Sequence, residues 1–259
     1  MGIKRLLTRL GWGGATVETV LRDEAVVPGG TIHGRIDIDG GEVDQRIDRL
    51  TTGLVVRLQD YSDVEFRRVE AGAAFRVAGG DTVTREFTMD VPWDMPVTVH
   101  RGQPLKGMDV GVNTQLHIAA AVDPGDFDPI AIAPLPAQAA VLDALAQMGF
   151  DFYSAVVKHG RIADAHAGAG TDRQRSPLFQ EIKFYPPSGS RSPLDKLDVT
   201  FATDAEATDV ILRAETFDGV MADAVKTSTA FTVAHGDATA PDWPALVGGW
   251  LATLPARRA

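Results

Sequence analysis

The chain of 259 residues contains no cysteine. Disulfide bonds, thiolate nucleophiles and cysteine-bound zinc are therefore excluded. Long hydrophobic runs are missing as well, since no stretch approaches the roughly 18 apolar residues that a membrane-spanning helix needs. The first seven residues are basic and apolar, but Arg9 interrupts the stretch and no small-residue cleavage site follows. We therefore expect no secretory signal.

Basic residues are outnumbered by acidic ones. The chain has 25 Lys and Arg against 35 Asp and Glu, which gives a formal net charge of −10 at pH 7. The acidic excess is present in both halves of the chain. Such a surface favours solubility and repels phosphate backbones, so we expect no nucleic-acid partner.

A strand between two glycine turns is the most informative pattern in the sequence. It runs from a Pro-Gly-Gly turn at residues 28–30 to the Gly-Gly pair at 40–41, and apolar and polar residues alternate between them. A period of two with one apolar face indicates a strand half buried in a sheet. Similar segments recur along both halves with turn residues between them. This density of strands predicts antiparallel β-sandwiches and argues against a nucleotide-binding α/β fold.

The predicted fold is all-β, with two antiparallel sandwich domains in tandem. A chain of this length suits two domains of roughly 100–130 residues better than one. Short helices are predicted at the N-terminus, at residues 137–148 and from Trp243 onward, because apolar residues there recur at helical spacing. The predicted parts are an amphipathic helix and glycine turn (1–14), a first sandwich (15–125), a proline-rich linker (126–136) and a second sandwich with its leading and trailing helices (137–259).

The segment 160–177 is small, polar and rich in glycine. This composition predicts a long mobile loop.

Three segments of the first half resemble the arrestin-like clan. Residues 27–36 match its Pro-Gly turn followed by an alternating strand with an internal glycine. Residues 87–92, followed by Met95-Pro96, resemble its step before the last strands, and residues 116–123 resemble the strand after that step. The resemblance implies sandwiches of arrestin-like type.

Within that clan the chain resembles the bacterial sporulation-control family, stage-zero protein M. The shared features occur in the same order along nearly the whole chain. They are a basic helix followed by glycines (3–14), Ala-Val-Asp-Pro (121–124), a helix ending in Gly-Phe (145–150), and the segments 179–184 and 194–199. The resemblance implies a regulatory or scaffolding role, no cofactor and no known active site.

Four carboxylates within eight residues form the best metal candidate of the sequence: Asp37, Asp39, Glu42 and Asp44. Hard cations prefer such oxygen ligands. The segment lacks the third aspartate and the distant glutamate of a calcium loop, so we interpret it as the exposed side of a strand and its turn. We predict no metal site.

Catalytic motifs are also missing. The sequence has no Gly-x-Ser-x-Gly, no P-loop and no His-Glu-x-x-His. We therefore predict that the protein is not an enzyme and has no cofactor. An unrecognised hydrolase with a scattered acidic site stays as an alternative, because convergent sites need not show in linear sequence.

The amphipathic N-terminus is the candidate interaction or docking site. It carries three positive charges and no acidic residue before Glu18. One interpretation is a reversible membrane foot that places its apolar stripe in the lipid interface. The other, which we favour, is a helix packed on the protein itself. The candidate residues are Ile3, Lys4, Arg5, Leu6, Leu7, Arg9, Leu10 and Trp12.

The expected function is that of a non-enzymatic adapter of arrestin-like shape. It would act through protein–protein interaction in development, stress or cell-division control, because sandwiches present long edges to which another chain can dock. The alternatives are a peripheral membrane regulator that uses the N-terminal helix and the hydrolase named above. We expect a protein partner, a cytoplasmic location with transient contact at the inner face of the membrane as an option, and leave the oligomeric state open.

Overall fold

The computed structural model describes residues 14–58, 62–118, 125–188, 194–217, 224–236 and 241–255. It divides the chain into two compact units. The first consists of residues up to Pro92 together with Asp109–Ile132, and the second of Trp93–Met108 together with the residues from Ala133 onward.

The first unit is built from antiparallel sheets. One sheet has the strand order β1-β3-β7, the other β11-β10-β4-β5 with β6 also pairing with β4, and the short strands β2 and β12 pair in parallel. The strands are β1 (Thr16–Leu21), β2 (Ala25–Val26), β3 (Thr31–Asp39), β4 (Gln45–Arg57), β5 (Asp63–Gly72), β6 (Phe75–Val77), β7 (Thr82–Asp90), β10 (Asp109–Ile118), β11 (Gly125–Pro129) and β12 (Ala131–Ile132).

Strand β3 shows the alternation that its sequence predicts. Ile32, Ile36 and Ile38 are completely buried, whereas His33, Arg35 and Asp37 on the other face are exposed or half-buried. The two larger sheets are tied by a buried hydroxyl pair, because the Thr19 hydroxyl of β1 donates to Thr114 Oγ1 of β10 at 2.7 Å. Antiparallel sheets facing each other across an apolar core are the sandwich that the sequence indicates.

The second unit has one five-stranded antiparallel sheet of order β13-β14-β15-β16-β17 and a two-stranded ribbon, β8-β9. Helices α1 and α3 share an apolar cluster with one face of the sheet and form its second layer. The elements are β8 (Val99–His100), β9 (Gln103–Pro104), α1 (Pro136–Gln147), β13 (Asp151–His159), α2 (Ile162–Ala165), β14 (Leu178–Tyr185), β15 (Lys196–Thr203), β16 (Ala207–Phe217), β17 (Ala224–Ala234) and α3 (Trp243–Leu251).

The predicted fold class is confirmed, because the described chain is mostly antiparallel β with few helices. The predicted helix at 137–148 is found as α1, one residue earlier at each end. Its proline occupies the first turn, where a missing N–H costs no hydrogen bond. The structure refines the second unit, in which the described strands form one main sheet and the opposing layer is helical.

The segment expected to be a proline-rich linker contains strands. β11 pairs with β10 from Gly125 to Pro129, and β12 pairs with β2. Proline is tolerated here because β11 lies at the edge of its sheet and Pro129 is its last residue, so no ladder hydrogen bond is lost.

The segment 160–177, expected to be a long mobile loop, is mostly loop but is anchored by hydrogen bonds and contains a short helix. This segment forms α2 and buries Ile162, His166 and Ala169. Gln174 holds it by accepting a hydrogen bond from Ile162 N at 2.8 Å and donating to the carbonyls of Gly160 and Ser176. The composition of the segment does not reveal this anchoring, because the Gln174 side-chain amide supplies hydrogen bonds that backbone groups supply in a regular helix or strand.

The glycine inside β3 is required by a close contact. A Cβ at Gly34 would lie 2.6 Å from Phe87 Cε1 and 3.1 Å from the Val20 carbonyl oxygen. We expect Gly34→Ala to lower the free energy of unfolding by about 1–3 kcal/mol, because overpacking forces neighbours apart. Chemical denaturation measures the change.

Gly72→Ala is the matched control. Gly72 also lies in an antiparallel strand, but its Cβ would meet nothing closer than Leu50 Cβ at 3.7 Å. We expect this variant to stay within about 0.5 kcal/mol of the wild type. Equal losses in both variants would contradict the role of Phe87.

Candidate functional site

The charged side chains of the five-stranded sheet lie on one of its faces. This face lies opposite the apolar cluster shared with α1 and α3, because neighbouring residues of a strand point to opposite sides. The pairing register aligns Asp198 with Arg213, and Glu215 with both Lys196 and Lys226. We call this the charged face; its members are Asp151, Lys158, Glu181, Lys183, Lys196, Asp198, Asp209, Arg213, Glu215 and Lys226.

Arg213 is the centre of the charged face. Its Nη2 lies 3.0 Å from Glu181 Oε1, pairs with Asp198 Oδ2 and lies 3.6 Å from Glu215 Oε1. Its Nη1 donates to the carbonyl oxygen of Ala165 in α2 at 3.1 Å. A buried guanidinium needs such partners because its desolvation is otherwise very costly.

Glu181 is the second centre. It is completely buried, and Lys158 Nζ lies 2.6 Å from its Oε2, while Lys183 Nζ lies 3.6 Å away. Burial acts to raise the pKa of Glu181, but the hydrogen bond from Lys158 and the charge of Arg213 together hold this pKa below its ordinary value. The carboxylate is therefore ionised at neutral pH.

Asp198 differs from Glu181 in its pKa. Burial raises the pKa of Asp198 above its ordinary value, although Arg213 acts in the opposite direction. Two carboxylates whose pKa values move apart are typical of acid–base pairs. Here, however, both contact one arginine and are 0% and 2% exposed, so they form an ion-pair framework closed to a substrate in this conformation.

His166, at the end of α2, packs against the charged face beside Glu181. It is completely buried, its Nε2 lies 3.4 Å from Thr200 Oγ1 and 3.6 Å from Glu181 Oε1, and its ring meets Phe179 edge-on. Its Nδ1 has no hydrogen-bond partner among the described residues. Burial, followed by the charge of Arg213, lowers the pKa of His166 to about 4, so the ring is neutral at pH 7.

The other end of this face is open and aromatic. Tyr153 and Tyr185 are 55% and 41% exposed, and their ring centroids are 4.9 Å apart. The pairing register of β13 and β14 shifts between Phe152 and Ser154, and the residue between them, Tyr153, presents its ring beside that of Tyr185. Three partly exposed lysines belong to the same face. We call this set the tyrosine–lysine surface: Tyr153, Tyr185, Lys183, Lys196 and Lys226.

The lysines are the positive groups of this surface. It holds three of them, whereas the chain carries a net charge of −10, and the acidic residues beside them are Asp151, opposite Tyr185, and Glu215, between Lys196 and Lys226. The Lys226 side chain is 53% exposed and is only loosely engaged by Glu215, at 3.6 Å. Partly exposed lysines beside two exposed rings can attract an acidic segment by charge and hold it by ring contact.

The candidate residues of the N-terminus lie outside the described residues. Their docking role therefore stays a prediction, as does the choice between packing and lipid contact. The residues concerned are Ile3, Lys4, Arg5, Leu6, Leu7, Arg9, Leu10 and Trp12.

The acidic side chains at 37–44 form hydrogen bonds within β3, its turn and the neighbouring strands. Asp37 accepts a hydrogen bond from the Thr84 hydroxyl at 2.7 Å, Asp39 from Gly41 N at 2.8 Å and Asp44 from Gly79 N at 3.1 Å. Within the described ranges, no group of three or more His, Asp or Glu residues is placed to hold a metal ion.

Sequence reasoning missed the charged face. A usable signal was present, since Glu181, Asp198 and Arg213 each directly adjoin apolar residues within a strand. A charge at a buried strand position needs a partner, and the partners here come from neighbouring strands.

The fold and this site define a two-unit, arrestin-like β protein with a closed ion-pair framework. The family described as SpoOM protein matches residues 3–216. The chain belongs to this family, so the resemblance predicted from the sequence is confirmed.

Comparisons with one sequence and one crystal structure from Bacillus subtilis agree with this assignment. The chain is 30% identical over 220 residues to the sporulation-control protein spo0M of strain 168, covering 82% of this chain and 80% of that protein. The crystal structure of Spo0M from Bacillus subtilis superimposes with a TM-score of 0.73 at 21% identity, covering 93% of this chain and 98% of the other. The structural likeness shows the fold, and kinship with a sporulation-control protein supports a regulatory role.

No helix in the described ranges is both long and apolar enough to cross a bilayer.

The central ion pairs predict a large stability effect. We expect Arg213→Met to lower the free energy of unfolding at neutral pH by about 3–5 kcal/mol, because Glu181 and Asp198 remain buried without their guanidinium. The deficit should shrink as the pH falls through the carboxylate pKa values, since protonation removes the unpaired charge. Chemical denaturation at several pH values measures both.

Arg68→Met is the control for the loss of an arginine. Arg68 forms an exposed pair with Glu65 at 2.7 Å, and such pairs contribute little. Its variant should stay within about 0.5 kcal/mol of the wild type. A loss as small for Arg213→Met would show that the buried network is not stabilising.

The buried imidazole predicts a second pH dependence. The pKa of His166 in the folded protein is about 4, below the ordinary 6.5, so the unfolded chain takes up a proton first. Stability should therefore fall as the pH drops from about 6.5 toward 4, by a few kcal/mol at most. Denaturation curves should show that His166→Gln lacks this component and that His33→Gln, on an exposed strand position, keeps it.

Proposed function

We propose that the chain is a non-enzymatic regulatory adapter that binds an acidic segment of a protein partner on the tyrosine–lysine surface. The observation that carries this proposal is the exposed contact of Tyr153 with Tyr185 on a sheet face that also carries partly exposed lysines. Tyrosine provides much contact area at low entropic cost and is enriched where proteins bind one another.

The rigidity of the support favours this role. Arg213 ties together neighbouring strands of the charged face and the carbonyl of Ala165, so the lysines extend from a fixed framework. A preorganised surface loses less entropy when a partner binds. The partner segment should combine Asp or Glu with apolar side chains, which complement the lysines and the rings respectively.

A hydrolytic function is less well supported by the same geometry. Glu181 and Asp198 form a close acidic pair, but the ion pairs that neutralise them also bury them. A cytoplasmic location is part of the adapter proposal, and contact of the N-terminus with the inner face of the membrane stays a prediction.

The adapter proposal predicts a partner that depends on the tyrosines. Affinity capture from native lysate, followed by reconstitution from purified components, should give a defined complex with the wild-type chain. Tyr153→Ser combined with Tyr185→Ser should weaken this complex at least tenfold, since central aromatic contacts dominate interface energetics. Added salt should weaken it too, because the lysines are exposed.

Val43→Ser is the matched control for removal of an exposed apolar side chain, since Val43 lies in the first unit and is 59% exposed. It should leave the complex unchanged. A complex that survives the double tyrosine change, or a hydrolytic activity abolished by Glu181→Gln, would contradict the proposal.

A further inference from the structure

Strand β17 is the last strand of the five-stranded sheet as the described residues form it. Among these residues it pairs only with β16. It has eleven residues, no proline and one charged side chain, Lys226. Proteins protect exposed edges with prolines, several charges or short length, so an unprotected edge of this kind is a template for a further strand.

We propose that a second copy of this chain pairs with this edge, β17 against β17, antiparallel about a two-fold axis through Thr229. Residues directly opposite in an antiparallel pair are both hydrogen-bonded or both not, so a symmetric pair must pivot on a residue rather than between two residues. The middle residue of Ala224–Ala234 is Thr229, and this pivot pairs the strand over its full length. The proposal does not rest on the adapter function above, although Lys226 takes part in both surfaces.

The side chains on the helix-covered face match in this register. Val225, which is 49% exposed, comes to lie opposite the buried Val233. Thr227 lies opposite Phe231, and Thr229 lies opposite its own copy. Apolar, β-branched and threonine pairs of this kind stabilise antiparallel strands.

The charges on the other face match as well. Lys226 of one copy lies opposite Thr232 of the second copy, and Thr232 donates to Asp209 Oδ1 of the next strand at 2.8 Å. Asp209 belongs to a group with Asp204 and Arg173, in which acidic side chains outnumber the basic one. The register therefore directs a lysine toward a net negative group and places no two like charges opposite each other.

A two-fold axis normal to the sheet keeps equivalent faces on the same side. Pairing would thus produce a continuous ten-stranded sheet whose two tyrosine–lysine surfaces face one direction. Two copies of a docking surface on one assembly raise the effective concentration for a partner with two acidic segments.

The absence of cysteine permits a direct test of the register. Thr229→Cys introduces a single thiol, and opposite residues of antiparallel strands have Cα atoms about 4.5–5.5 Å apart, within disulfide range. Under mild oxidation this variant should form a covalent dimer, whereas Val43→Cys should not. A folded Thr229→Cys protein that stays monomeric would overturn the proposal.

A charge exchange tests the same register without a covalent bond. Thr232→Lys places like charges opposite Lys226, while Asp209 remains beside the new lysine within each copy. Sedimentation analysis should show the dimer dissociation constant rising about tenfold, or about 1.4 kcal/mol. Adding Lys226→Glu to Thr232→Lys should restore dimerisation, since opposite charges then face each other.

Three results would overturn the interface: a monomeric wild type at the highest soluble concentration, a dimer unaffected by Thr232→Lys, or no recovery in the folded double variant. The variant with both Tyr153→Ser and Tyr185→Ser separates this proposal from the adapter proposal. It should remain dimeric, so loss of partner binding and loss of dimerisation are distinguishable.

Discussion

The second unit depends on the neutralisation of one buried cation. The Arg213 guanidinium is removed from water, so it needs the carboxylates of Glu181, Asp198 and Glu215 around it. Each of these carboxylates belongs to a different strand, β14, β15 or β16. Strand register is therefore fixed by charge as well as by apolar packing. If a strand slipped by one residue against its neighbours, its charged side chains would point into the helix-covered apolar core. They would have no ion-pair partner there.

The same cation determines what covers the sheet. The hydrogen bond from Arg213 to the Ala165 carbonyl holds α2 in place. The next residue, His166, is neutral and buried and lies beside Glu181. At the other end of the face, Tyr153 and Tyr185 remain exposed to solvent. One sheet face is thus divided into a closed framework that stabilises the fold and an open surface that is available for binding.

Much of the local structure was predictable. The alternation in 31–39 predicted β3, and the proline, alanines and glycine around 137–149 predicted α1, because both patterns reflect backbone preferences that act over a few residues. The ordered family features predicted the family. The anchored segment at 160–177 could not be predicted in the same way, since Gln174 stabilises it through contacts that composition does not reveal.

The sequence by itself determined the β class, the absence of cysteine chemistry, the acidic balance and the kinship with sporulation-control proteins. Only the tertiary structure decided which charges meet. Glu181, Asp198 and Arg213 lie up to 32 residues apart in sequence, and nothing local in the chain states that they share one contact. Strand pairing brings them together, and desolvation then makes their pairing compulsory.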